Sequence, residues 1–261
     1  MNISLENKRA IVCGSTQGIG KAAAFELASL GATVTLIARN EEELKKTYTE
    51  LPGTYSQKHE YICADFSRPD ELKMKVDKYV SGKTIHILIN NTGGPKGGPI
   101  TEAKPEEFTA TFSQHLVCNH ILVQAVLGGM KKDKYGRIIN IISTSVKQPI
   151  KGLGVSNTIR AAVANWAKTL AGEVARYGIT VNNILPGSTD TQRLHSLFEA
   201  KAQRERKTVD TIKNEWLCEI PMERFASPEE IANAIAFLAS PAASYITGIN
   251  LPVDGGRTGN L

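Results

Sequence analysis

Cysteine is scarce in this chain: four residues, Cys13, Cys63, Cys118 and Cys218, with no C-x-x-C pair among them. That scatter excludes a zinc ribbon and a disulfide framework, and it points to reduced, buried thiols. The five histidines lack metal-ligand spacing, so no metal site is expected. No apolar run approaches the ~20 residues of a membrane-spanning helix. The opening Met1-Asn2-Ile3-Ser4-Leu5-Glu6-Asn7-Lys8 carries no apolar stretch of the secretory type, and the expected compartment is the cytoplasm. Aromatics are only 6% of residues, and none interrupts the basic clusters Lys131-Lys132-Asp133-Lys134 and Arg204-Glu205-Arg206-Lys207. Grooves for single-stranded nucleic acid interleave basic and aromatic side chains, so neither nucleic acid nor membrane is an expected partner. Each cluster also holds an acid and reads as a solvated helix end, while the net charge of +5 is compatible with long-range attraction of an acidic substrate.

What the chain has is an alternation of strand and helix patterns without linker, repeat or low-complexity segment, which predicts one domain over residues 1–261. Strand-like runs fall at Arg9–Cys13, Thr33–Ala38, Glu60–Cys63, Ile85–Asn90, Arg137–Ile142, Ile179–Leu185 and Ile249–Val253. Helical patterns fall between them, including one long region at Pro105–Met130 and another at Val155–Tyr177. Strands apolar at nearly every position predict an α/β fold whose parallel sheet is covered by helices on both faces. Residues 190–226 are an insertion. Apolar groups recur at helical spacing at Leu194, Leu197 and Phe198, then at Ile212, Trp216, Leu217 and Ile220. Two amphipathic helices at the carboxyl edge of such a sheet predict a lid over a ligand.

The segment Cys13-Gly14-Ser15-Thr16-Gln17-Gly18-Ile19-Gly20 follows the first strand and opens an Ala-rich helix that Gly31 stops. Its spacing is G-x3-G-x-G, unlike the Walker loop, which ends in Gly-Lys-Ser/Thr. Three glycines allow a sharp turn and a close backbone approach to phosphate, and the helix behind them directs its free N–H groups at that phosphate.

With these segments in order, the chain resembles the short-chain dehydrogenase/reductase family, most nearly its 3-oxoacyl-carrier-protein-reductase-like members. The residues carrying the resemblance are the glycine segment, Asp65, Asn90-Asn91-Thr92-Gly93-Gly94, Asn140-Ile141-Ile142-Ser143, Val181-Asn182-Asn183-Ile184-Leu185-Pro186-Gly187 and Val253-Asp254-Gly255-Gly256. The resemblance implies a single-domain Rossmann-type doubly wound sheet with a nicotinamide cofactor. It places Gly14 to Gly20 (with Ser15, Thr16, Gln17 and Ile19 between the glycines) at the pyrophosphate and Asp65 with Phe66 at the adenine. Asn90, with Asn91 and Gly93 beside it, falls on the adenosine side, and Pro186, Gly187 and Thr189 fall at the nicotinamide. The second strand ends in Ile37-Ala38-Arg39-Asn40 with no Asp or Glu at the strand end, and a planar guanidinium fork at Arg39 suits the 2′-phosphate of NADP(H).

The active centre departs from the family pattern. Members present a Ser, a Tyr thirteen residues later and a Lys four beyond. Here Ser143 fits, Ser156 stands at the Tyr place and Arg160 at the Lys place, while His115 aligns with the usual helix Asn. Ser156 and Arg160 share a helix face at i and i+4, so the local arrangement survives with altered chemistry. Ser143 is expected to bond the carbonyl, and Arg160 to bond ribose hydroxyls and set positive charge near the oxyanion. His115, or Ser156 through a water, is the candidate proton donor. The expected function is an NADP(H)-dependent oxidoreductase interconverting a small-molecule carbonyl and alcohol, possible substrates including a 3-oxoacyl group. The alternative is a non-catalytic NADP(H)-binding sensor or scaffold of the same fold. A homodimer or homotetramer is expected from the resemblance and from the apolar residues Ala164, Trp166, Ala167, Leu170 and Ala171.

Overall fold

The computed structural model describes residues 1–260. Seven parallel strands form one sheet: β1 Arg9–Cys13, β2 Thr33–Ala38, β3 Glu60–Cys63, β4 Ile87–Asn90, β5 Gly136–Ile141, β6 Ile179–Pro186 and β7 Asn250–Val253. Their spatial order is β3-β2-β1-β4-β5-β6-β7, so the winding reverses between β1 and β4. A crevice opens there, beyond the carboxyl ends of the strands, where doubly wound sheets bind ligands.

Alternation along β1 shows why both faces need cover. Ala10 and Val12 enter one core with Ala23, Leu27 and Ala28 of helix α1 (Gly18–Ser29), Leu44 of α2 (Glu41–Glu50) and Ile235 of α9 (Pro228–Ala239). Ile11 and Cys13 enter the opposite core with Leu72 of α3 (Pro69–Val80), Leu122 of α5 (Cys118–Asp133) and Ala167 of α6 (Gly154–Val174). Period-two alternation between two apolar layers is what the near-continuous hydrophobicity of the strands encodes.

Four asparagines of this sheet are linked to one another, with Asn90 Oδ1 left without a partner among the described residues at one end of the row. Asn90, Asn140, Asn183 and Asn250 stand opposite one another in register on β4 to β7. Each side-chain Nδ2 donates to the next Oδ1 at 2.8 Å, forming an asparagine ladder across four strands. The ladder offsets the desolvation of four buried or half-buried amides.

The region predicted as one long helix is divided. Helix α4 covers Pro105–Phe112, a π-helical turn covers Ser113–Val117, and α5 follows directly. π turns accommodate one extra residue and rotate the side chains that follow; His115 lies in this one. In the insertion, α7 (Gln192–Glu205) and α8 (Val209–Leu217) form the two expected helices. They carry a small core of their own: Leu194, Phe198, Ala202 and Ile212, with Trp216 and Phe225 packed on it. On α6, Ala164, Ala167 and Ala171 are buried, and Trp166 and Leu170 pack against the cores. The monomer itself therefore consumes much of the apolar surface assigned to subunit contacts.

Candidate active site

A single cleft of about 540 Å³ runs along the carboxyl edge of the sheet. The ends of β1, β2, β4, β5 and β6 supply Gly14, Arg39, Asn91, Ser143 and Pro186 to its walls, and residues of α7 and Trp216 of α8 line it as well.

At one end lies the glycine turn. Gly14 and Gly18 have φ of 58° and 52°, a left-handed backbone that L side chains rarely adopt. A Cβ on Gly20 would sit 2.1 Å from the Gly14 carbonyl oxygen, so this glycine is needed for close approach and not for its dihedral. Asn91 Nδ2 donates to the Cys13 and Gly14 carbonyls at 3.2 and 3.3 Å, tying the turn to the end of β4. The helix behind the turn is left open. Gln17, its N-cap, makes no side-chain cap hydrogen bond, and no acid occupies the first turn. Several other helices of the chain are closed, Asn40 capping α2 before three glutamates and Ser227 and Glu230 forming a capping box on α9, although α6 also begins without a side-chain cap. An uncapped helix tip facing a turn with no room for side chains fits a pyrophosphate.

Thr16, Gln17, Gly18, Ile19, Arg39, Asp65, Phe66, Asn91 and Gly93 all line the cleft on this side. Asp65 Oδ1 accepts the Ser67 backbone N–H at 2.8 Å. That bond, with a smaller contribution from Arg39 and Arg68, holds the carboxyl below the usual range. Two residues point elsewhere. Ser15 is fully buried with its hydroxyl toward the Ile37 carbonyl at 3.4 Å, and Asn90 is spent in the asparagine ladder. Asn91 is the one of the pair that faces the cleft.

At the other end Ser143, Ser156, Arg160, Pro186, Gly187 and Thr189 come together. Ser143 caps the short turn Thr144–Val146, and its Oγ accepts the Ser145 backbone N–H at 3.1 Å. With its oxygen engaged as acceptor, the hydroxyl hydrogen is free to donate into the cleft. Ser156 makes no hydrogen bond of its own to the described residues. Arg160 is buried and donates from Nη1 to the Ile141 carbonyl at 2.6 Å. Burial, then the charge of Arg193, pushes its guanidinium down to about 10, which leaves it protonated at neutral pH.

His115 lies behind the cleft wall, 3% exposed, while its neighbour Gln114 lines the cleft. Its Nδ1 is 2.6 Å from Thr92 Oγ1, and Nε2 has no partner. Burial, with the Arg160 charge second, pushes its ring down to about 2. The imidazole is therefore neutral, and a charged imidazolium acid is not available at this position near pH 7. Sequence reasoning passed over Arg193 and Arg257, which also line the cleft, as do Thr191 and Gly94. Gly94 belongs to the quoted Asn90–Gly94 segment and Thr191 follows the Pro186–Thr189 stretch, so both were within reach. Arg193 lies on α7 and Arg257 follows β7, and no local pattern marks them.

A family model described as enoyl-(acyl carrier protein) reductase matches residues 14–258. The chain is a short-chain dehydrogenase/reductase. It is 34% identical over 257 residues to a 3-oxoacyl-(acyl-carrier-protein) reductase of Chlamydia muridarum, covering 98% of this chain and 99% of that relative. It is 29% identical to the NADPH-dependent reductase BacG of Bacillus subtilis, covering 97% and 98%. Among solved structures, L-sorbose reductase from Gluconobacter frateurii in complex with NADPH and L-sorbose superposes with a TM-score of 0.92, at 30% identity over the full length of both chains. Among the described residues of this family member, no helix is long and apolar enough to cross a membrane, and no cluster of metal-ligating side chains occurs.

Proposed function

We propose that this short-chain dehydrogenase/reductase is an NADP(H)-dependent oxidoreductase that interconverts a small-molecule carbonyl and its alcohol. One observation carries the reading: a continuous cleft joins the phosphate-type glycine turn and Arg39 at one end to Ser143, Ser156 and Arg160 at the other. The NADPH-dependent relatives support the choice of cofactor and reaction.

Gly14, Gly18 and the open end of α1 would hold the pyrophosphate of NADP(H), Asp65 and Phe66 its adenine, and Arg39 its 2′-phosphate. Pro186, Gly187 and Thr189 would hold the nicotinamide. Bound NADPH supplies the hydride. Ser143 donates its free hydroxyl hydrogen to the carbonyl oxygen, stabilising charge as it develops there. Arg160, fixed by the Ile141 carbonyl, adds a permanent positive charge beside that oxygen and offers donors to the ribose. Ser156 passes the proton in from solvent through a water, because the neutral His115 ring does not face the substrate space. Helices α7 and α8 act as the lid that excludes bulk water, with Leu194, Leu197 and Trp216 as its inner lining.

The cofactor end is tested by Arg39→Ala. Loss of a charge-assisted fork is expected to weaken NADPH about 10–100-fold while leaving NADH affinity nearly unchanged, as read by fluorescence titration. Equal losses for both would remove Arg39 from phosphate selection. The reaction is tested by NADPH oxidation over a panel of carbonyls at several pH values. Saturable NADPH binding without any oxidation, even in single turnover, would favour the second reading, a cofactor-binding sensor or scaffold. The absence of the usual Tyr and Lys is what keeps that reading in view.

Assembly into a homodimer or homotetramer belongs to the same proposal. Phe112 on α4 is 42% exposed, and α6 presents the small outward residues Ala161, Asn165 and Gly172. Light scattering that reports a monomer would overturn this part. The free thiols of all four cysteines agree with a reducing compartment such as the cytoplasm.

A further inference from the structure

Among the described residues, the substrate half of the cleft carries two guanidinium groups that no carboxylate balances. Arg160 and Arg193 both line it, and neither forms an ion pair with the described residues. Each has one protein acceptor: Ile141 O for Arg160 and Pro95 O for Arg193. A guanidinium has five N–H donors, so most of this donor capacity is uncommitted. The charges are close enough that Arg193 depresses the Arg160 ionisation.

Most other cations in and around the lid are paired, and Arg206 and Lys213, unpaired among the described residues, lie off the cleft wall. Arg257 also lines the cleft, but it pairs with Glu219 and stacks over Trp216. Lys201 and Lys207 share Glu205 and Glu215, and Arg224 pairs with Glu230. The acids near the two bare arginines are committed. Asp65, the one carboxylate on the cleft wall among the described residues, lies at the adenosine end against Ser67, and Asp190 bonds His195 at 2.8 Å. Two like charges held together without a counterion raise the energy of the empty site, and an anion entering it relieves that cost.

Arg193 is separate from the pyrophosphate cradle. Thr191 is the lid residue that meets the glycine turn: a Cβ on Gly18 would lie 3.1 Å from its Cγ2. Arg193 sits two residues further on, against Gly94 and Pro95, in the first turn of α7 where the helix dipole adds positive potential. Around it the walls are apolar: Ile150, Leu153, Leu194, Leu197 and Trp216.

We propose that the substrate is an oxo acid, an apolar carbonyl compound bearing a carboxylate that the Arg193 fork binds, with Arg160 completing the positive pocket. This rests on the reductase reading for the position of the carbonyl. A planar fork matches a carboxylate with two parallel N–H···O bonds, and the apolar walls suit a short hydrocarbon body.

Calorimetry on NADP⁺-saturated protein tests it with acetoacetate, levulinate and phenylpyruvate, each beside its methyl ester. The tightest acid is expected to bind about 30-fold better than its ester, the effect of one charge-assisted fork. Arg193→Gln should collapse that ratio to about threefold or less, with Arg193→Lys intermediate because it keeps charge without the fork. NADPH affinity, titrated separately, should change by less than about threefold in either variant, since that is within the scatter of an uninvolved position. Esters binding as well as acids, or an acid preference that survives Arg193→Gln, would overturn the proposal. A parallel loss of NADPH affinity would reassign Arg193 to the cofactor and overturn it equally. If neither dinucleotide binds, the reductase reading fails by itself. The same titrations on cofactor-free protein then still decide the anion site, through an acid preference that Arg193→Gln removes or through none.

Discussion

Ser143→Ala is expected to lower turnover about 10²–10³-fold, the cost of removing one hydrogen-bond donor from a developing oxyanion. The Michaelis constants should change little, because the hydroxyl is needed most when charge accumulates on the carbonyl oxygen. The expectation follows from how the oxygen is already used. Ser143 Oγ accepts the Ser145 N–H and so presents its hydrogen outward. The substitution also removes the N-cap of the Thr144–Val146 turn, an effect of about 1 kcal/mol on stability. A thermal midpoint measured beside kcat separates the two consequences. Ser143→Thr, which keeps the hydroxyl, should restore much of the rate. Unchanged turnover in the Ala variant would take Ser143 out of the chemistry.

The second large effect is on acid stability. His115 in the unfolded chain titrates near 6.5, whereas in the fold its ring takes a proton only near pH 2. Between these values the unfolded state binds a proton that the native state does not, so stability rises with pH across this window. The contribution is fully present above pH 6.5 and is lost as pH falls toward 2. At pH 4.5 the loss is about 2.7 kcal/mol by linkage. Urea unfolding at pH 7.5 and 4.5 should therefore show the parent chain losing about 2–3 kcal/mol more than His115→Asn, in which no imidazole titrates. Carboxylates such as Asp65 and Glu230, also held low in the fold, act in both proteins and cancel in the comparison. Parallel losses would show that the ring is more accessible than its burial in the π turn implies. The same burial bears on the proposed mechanism, because a ring that stays neutral from pH 7 down to about pH 2 is why we assign proton delivery to Ser156 and solvent.

The mechanism leans on residues that differ from the family pattern, yet the framework around them is intact. Arg160 stands where a Lys is usual, and its bond to the Ile141 carbonyl anchors it to the end of β5. Arg193 reaches the same space from the lid. The Lys-to-Arg change keeps one positive charge at its place, and Arg193 adds a second to the same cleft, which suits an acidic substrate better than a neutral one.

The limits of sequence reading are visible in single residues. The glycine turn was legible because positive dihedrals and close packing demand glycine locally, and Gly14, Gly18 and Gly20 stand within one short segment. Arg39 was legible as the residue that ends a strand. Asn90 and Asn91 could not be told apart in this way. Which of two adjacent amides faces the cleft depends on strand pairing, and the ladder through Asn140, Asn183 and Asn250 claims the first. His115 sat within a regular helical pattern, and only the π turn of the folded chain carries it behind the cleft wall. Arg193 lies 98 residues from Pro95, the partner that fixes it, and nothing near it in the chain announces that contact.

By itself, then, the order of residues determined the layers, the strands and the glycine turn, because periodicity and glycine placement act over a few neighbouring positions. Only the tertiary structure decided which polar groups share the cleft, which are spent inside the sheet, and that two arginines meet there without an ion-pair partner among the described residues. Those outcomes depend on pairings between distant segments, whose burial and electrostatics exist only once the chain has closed on itself.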